Sequence, residues 1–152
     1  MNAPSYDIMT ILVGDGIGIF AGTSGWSIYI GDMPEKPDTV VVIRDVGGEP
    51  LEGISVCPHT IENVNIEVYV RDLTYNAAYV KINEVQETLN KLQTTIGQVQ
   101  YTRILRTDVP RFFGYDETRR SIWRQNYRIM RQIGSSSSNS SSSDSSSSSS
   151  GA

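Results

Sequence analysis

The chain has 152 residues, a formal net charge of −4, 38% hydrophobic residues and a single cysteine. One cysteine excludes an intrachain disulfide framework, and no stretch approaches the ~18 consecutive apolar residues of a membrane-spanning helix. The serine tract 135–150, with fourteen serines in sixteen residues, has no apolar surface to offset an ordering cost of ~1–2 kcal/mol per residue. Residues 134–152 are therefore expected to be a disordered tail or linker, and residues 1–133 a single domain.

The opening residues MNAPSYDIMT lack the basic region of a secretory signal. Residues 4–13 (PSYDIMTILV) place Ile8, Ile11 and Leu12 at helical spacing, with Ser5 able to cap and Asp7 in the first turn. The same run is apolar and branched enough for a strand, but helix is the preferred reading. A burst of glycines follows in ILVGDGIGIFAGTSGW (11–26). WSIYIGDMP then reads as a short strand stopped by Pro34, and DTVVVIRD (38–45) as a central strand. Residues 46–60, rich in Gly and Pro, read as a long loop. In ENVNIEVYVRD, Val64, Ile66, Val68 and Val70 share one face, and Asn65, Glu67, Tyr69 and Arg71 the other. Asp72 and Thr74 are candidate caps for a helix of about five turns, on which Ala78, Ile82, Val85, Leu89 and Leu92 form one apolar stripe. QVQYTRILRTD is a strand, VPRFFGYDETRR a turn and SIWRQNYRIMRQ a last strand, the two strands forming a hairpin. Along the last strand Trp123, Gln125, Tyr127, Ile129 and Arg131 make the core-like face. Ile122, Arg124, Asn126, Arg128 and Met130 make the outward one. The order α-β-β-β-α-β-β gives an α/β domain of the α+β type, a mostly antiparallel or mixed sheet of four to five strands with two helices on one face.

The glycine run satisfies the loose dinucleotide pattern through Gly16, Gly18 and Ala21. Phosphate binding there needs a helix to begin at the glycines, and Gly22 and Gly25 interrupt any such helix. The glycines are read as a chain reversal instead, with no cofactor. Cys57 and His59 stand two apart, but no further Cys or His completes a zinc site, and no catalytic arrangement accompanies them. The chain is read as no enzyme.

Charge is divided unevenly. Residues 1–100 hold thirteen acids and five bases, a balance of −8, while residues 101–133 hold eight arginines and three acids, a balance of +5. Arg103, Arg106, Arg111, Arg119, Arg120, Arg124 and Arg128 are the candidate interface residues. A solvated strand face, a subunit interface and a nucleic-acid surface all remain open for them.

Several stretches taken together resemble the small tail-terminator proteins of long-tailed bacteriophages, often labelled minor capsid or head–tail joining proteins. They are IYIGDMPEKPDTVVVIRDVGGEP (28–50), VYVRDLTYNAAYVKINEVQETL (68–89) and VPRFFGYDETRRSIWRQNYRIMR (109–131). The resemblance implies a structural virion protein made in the host cytoplasm and placed at the head–tail junction. It implies a homo-hexameric ring that caps the tail tube, ends its polymerisation and meets the head-completion proteins. Its partners would be further copies of itself, the tube protein and the neck, with DNA only passing through and no membrane involved. A neck connector or stopper, and a nucleic-acid-binding module built on the arginine-rich C-terminal hairpin, are the alternatives.

Overall fold

The first helix, α1 (Pro4–Gly14), begins with its proline at the first helical position, where the missing N–H costs nothing. Ser5 does not cap it. Ala3 occupies the cap position without a side-chain bond, and the Ser5 hydroxyl instead donates to the Asp45 carboxylate at 2.6 Å. The helix ends where Gly16 takes φ +77°, the Gly16 N–H reaching the Val13 carbonyl and the Ile17 N–H the Leu12 carbonyl. Leu12 and Ile17 are both buried at this stop, the apolar pair that commonly accompanies a left-handed glycine termination. The structure, a computed structural model, describes residues 3–22, 25–50, 59–90, 94–96 and 99–134. Cys57, Leu92, Gly97 and all of the serine-rich segment after Gly134 lie outside them.

The remaining elements are β1 (Ile19–Phe20), β2 (Ser27–Ile30), β3 (Val40–Pro50), β4 (His59–Asp72), α2 (Tyr75–Leu89), β5 (Thr94–Ile96), β6 (Val99–Arg106), β7 (Arg111–Tyr115) and β8 (Ser121–Gly134). The strands make one sheet in the order β1-β2-β3-β4-β8-β6-β5, and β7 also pairs with β8. β1, β2 and β3 run parallel, and every other pair is antiparallel. The sheet is thus mixed, as expected, but among the described residues it has eight strands rather than four to five.

The additional strands are β1, β5 and β7, and β3 and β4 are also longer than expected. β1 and β5 have two and three residues, too few to show an alternation. The expected loop 46–60 contains the outer ends of β3 and β4, which keep pairing through a register shift between Asp45 and Gly48. The expected turn 109–120 contains β7, so the true hairpin turn is only residues 116–120. β6 and β7 lie in line along one edge of β8, interrupted at 107–110. There Asp108 turns inward, its carboxylate accepting from the Gln125 amide at 2.7 Å and the Asn126 backbone N–H at 3.2 Å.

Both helices lie on one face of the sheet, and the main core fills the space between. It includes Ile8, Leu12, Ile43, Val68, Ile82 and Tyr127. In α2 the buried positions are Ala78, Lys81, Ile82, Val85 and Leu89. Thr74 occupies the cap position but makes no side-chain capping bond. A cap is worth ~1 kcal/mol, whereas burying each of Ile82, Val85 and Leu89 contributes ~1.5–3 kcal/mol, so packing fixes this helix. α1 is docked by a buried polar contact, the Tyr101 hydroxyl donating to the Asp7 carboxylate. On β3, Val40, Val41, Val42 and Ile43 are all fully buried, the signature of a strand covered on both faces. The second face carries a smaller cluster of Val40, Val42 and Tyr69, joined by Tyr29, Met33 and Ile122.

The bulge at the outer end of β3 depends on Gly48. A Cβ there would collide with the backbone carbonyl of Asn63 and stand 2.7 Å from Val64 Cα, whereas one at Gly47 would meet nothing within 4 Å. Gly48→Ala is expected to lower stability by roughly 1–3 kcal/mol, and by more than Gly47→Ala. Urea-denaturation midpoints of the two variants check the order.

Candidate assembly surface

Residues 31–38 cross the second face of the sheet and are held there by two buried arginines. From β4, Arg71 donates to the Pro37 carbonyl at 2.6 Å, the Glu35 carbonyl at 3.3 Å and the Asp38 carbonyl at 3.3 Å. From the turn just before β8, Arg120 donates to the Glu35 carbonyl at 2.7 Å, the Asp38 carboxylate at 3.0 Å and the Asp116 carboxylate at 2.8 Å. Arg71 and Arg120 are only 3% and 4% exposed. Asp116 lies 4.0 Å from Arg71 and joins the two.

The electrostatics follow from that crowding. Burial lowers the Arg71 pKa, and the Arg120 charge lowers it further, against the pull of Asp116, Asp38 and Glu35. For Arg120 the burial penalty is outweighed by its bonds to Asp116 and Asp38, so its pKa is raised. Burial would raise the Asp116 carboxyl, but hydrogen bonds from the Arg120 amide, Thr118 and the Arg120 guanidinium reverse this and hold it below the ordinary value. Asp116 also shapes the hairpin turn, its Oδ1 accepting from the backbone N–H groups of Thr118 at 3.0 Å and Arg120 at 2.9 Å.

Beyond this staple the second face is bare, and cations dominate it. Cross-strand partners share a face. Arg103 stands opposite Met130, Leu105 opposite Arg128, and Arg111 opposite Arg124. Arg124 is half-buried, 3.6 Å from Glu67 and 5.3 Å from the centre of the Phe113 ring. Arg44 lies over Tyr69 at 5.7 Å, and Tyr69 meets Phe113 edge-on at 5.7 Å. Arg44, Arg103, Arg111 and Arg128 are exposed. A groove of about 230 Å³ between Met33, Val42, Arg44, Tyr69, Phe113 and Ile122 opens on this face.

Four of the seven arginines singled out by sequence, Arg103, Arg111, Arg124 and Arg128, therefore meet on one surface. Arg106 is exposed across from Tyr127, on the helix side. Arg119 is at the hairpin tip with φ +68° and lies over Tyr115 at 5.3 Å. Arg120 belongs to the staple. Sequence reasoning did not single out Arg44 or Arg71. Parity along β4 did put Arg71 on the outward face, but nothing local revealed its partners, which lie more than thirty residues away. On the helix side, Tyr75, Tyr79, Phe112, Tyr115 and Trp123 form an aromatic cluster with ring centres 4.8–5.6 Å apart.

Along the glycine run no helix begins among the described residues. Ile19–Phe20 is a strand, and the Gly22 carbonyl accepts from the Tyr29 hydroxyl at 2.7 Å. Among the described residues no group of three or more His, Cys, Asp and Glu could hold a metal, and no helix is long and apolar enough to cross a membrane. Cys57 is outside those residues, and His59 is part of β4.

The profile of the bacteriophage tail terminator protein family matches residues 12–133. The chain belongs to that family. A solved structure described as the virion of a native gene transfer agent particle contains a chain of the same fold. Its TM-score is 0.50 at 8% identity, with 84% of this chain and 91% of that chain covered. No curated protein sequence matches. A tail terminator is a structural virion protein, and this chain is a structural phage component of the tail or head–tail region.

In this terminator the staple and its hairpin turn give three expectations. Arg120→Met should cost about 2–3 kcal/mol, because charged hydrogen bonds are lost at a buried site; urea unfolding at neutral pH measures it. The lowered Asp116 pKa contributes stability above about pH 4 that is lost as pH falls through the folded-state value. Asp116→Asn should be less stable at neutral pH and show a shallower acid decline than the wild type. Arg119→Gly removes a left-handed strain and should raise stability by up to ~1 kcal/mol, read as a higher thermal midpoint.

Proposed function

We propose that the protein closes the end of the finished phage tail tube as a ring of six identical copies. The ring stops tube growth and presents a surface to the head-completion proteins at the head–tail junction. The observation that carries this reading is the terminator-family match over residues 12–133, on a domain whose second sheet face is rich in unshielded arginine. Arginine and aromatic residues are enriched where protein surfaces meet. A ring needs one patch to meet a different patch on the next copy, and a domain with unlike faces suits that geometry. The mechanism is shape and charge complementarity without bond chemistry, and DNA only passes through the ring.

Deleting the gene should give tails of uncontrolled length that do not join heads. Tails of normal length detached from full heads would assign the protein to the neck instead. Arg103→Glu with Arg128→Glu should fail to complement the deletion while shifting the thermal midpoint by less than about 3 °C, since both side chains are exposed. Tight, steeply salt-dependent DNA binding by the purified protein, lost in the same variant, would favour the nucleic-acid reading.

A further inference from the structure

We infer that the outer ridge of α2 on one copy docks on the bare sheet face of the next. The inference rests on the ring reading and names the two surfaces that build it.

The ridge is set by helical spacing. Asn76, Val80, Glu84 and Glu87 recur at steps of four, four and three, and lie opposite the buried stripe of Ala78, Ile82, Val85 and Leu89. Val80 is 53% exposed, and Tyr79 beside it 40%. Glu84 and Glu87 present carboxylates to solvent. Lys81 is the only cation within α2, and it points inward, buried, 3.0 Å from Glu84 and over the Trp26 ring at 4.8 Å. The ridge is therefore apolar at one end, acidic at the other, and free of exposed cations.

The bare sheet face is its complement. Arg44, Arg103 and Arg128 are exposed there, and Glu67, the carboxylate on β4 at this surface, already stands 3.6 Å from Arg124. Leu105 and Phe113, 40% and 54% exposed, supply apolar area between the cations. Two bare sheet faces would bring arginine against arginine, which disfavours a closed two-fold pair. The ridge and the face lie on opposite layers of the domain. A copy that uses its ridge toward one neighbour keeps its face free for the other, which is the arrangement a ring requires. The second face of the sheet would then be covered partly by residues 31–38 of its own chain and partly by a neighbour's helix.

The test uses the full chain and four proteins: wild type, Glu84→Arg with Glu87→Arg, Arg103→Glu with Arg128→Glu, and the combined quadruple variant. Oligomer mass is followed by light scattering across a concentration series, and ring formation on purified tail tubes by negative-stain microscopy. Thermal melting confirms that each variant is folded. Each double variant should weaken assembly at least ~10-fold, and the quadruple variant should recover to within about threefold of wild type, because the charge pattern is restored with its sign exchanged. If the α2 variant assembles like wild type, or the quadruple variant does no better than the sheet-face variant, the pairing is overturned while wild-type rings leave the ring reading intact. If the sheet-face variant forms normal rings but no longer binds tubes, heads or DNA, the face belongs to that other partner and the pairing is again overturned. A wild type that forms no ring, alone or on tubes, removes the ring reading and this inference with it.

Discussion

Two guanidinium groups, Arg71 and Arg120, share one small set of carboxylates and carbonyls on the sheet's second face. Neither would be tolerated there alone, because a buried charge without partners is costly. Asp116, Asp38 and Glu35 supply the compensation, and three carbonyls from residues 35–38 accept the remaining donors. The consequence is architectural. Residues 31–38 are fastened over Val40 and Val42, and the β7–β8 turn is fastened to them. This closes one half of a face whose other half stays open, so the staple decides which part of the sheet remains available to another molecule.

Much of this organisation was legible from residue patterns. The parity along β8 is realised position by position, with Trp123, Gln125, Tyr127, Ile129 and Arg131 buried and Arg128 exposed. The stripe on α2 is realised at Ala78, Ile82, Val85 and Leu89, and on β4 the inward Ile66, Val68 and Val70 are buried as expected, but the outward Tyr69 and Arg71 are buried too, because the second face is partly covered. What could not be read was short or non-local. β1 and β5 have no periodicity to offer. The outer ends of β3 and β4 are held by pairing across a glycine bulge, which local composition reports as loop. β7 was hidden among turn residues because Pro110 and Gly114 flank an aromatic pair. Ser5 looked like a cap and instead docks α1 through Asp45, while Asp7 sits in the first turn as expected and also accepts from the Tyr101 hydroxyl.

The candidate surface was legible to the same degree. Charge singled out seven arginines, and strand parity placed Arg124 and Arg128 together. Only the fold separates Arg120, consumed by an internal network, from Arg103, Arg111 and Arg128, which face outward. Arg44 and Arg71 were obscured by the acidic balance of the first hundred residues. Two of the three stretches that carried the family resemblance, 28–50 and 109–131, are joined by the bond between Arg120 and Glu35, 85 positions apart in sequence. The glycines that opened as a nucleotide-like pattern end a helix and admit a two-residue strand, so their spacing reflects a reversal of the chain.

The last strand has a further consequence. β8 occupies the middle of the sheet between β4 and β6, and its fourteen residues, at ~3.3 Å each, extend about 45 Å. It starts at the Arg119 tip and finishes beside His59 and Val99. Whatever follows Gly134 therefore departs from the pole opposite the hairpin. A probe fixed on the Gly134 end of β8 would therefore sit on the far rim of the sheet, at a distance from both the staple and the aromatic cluster.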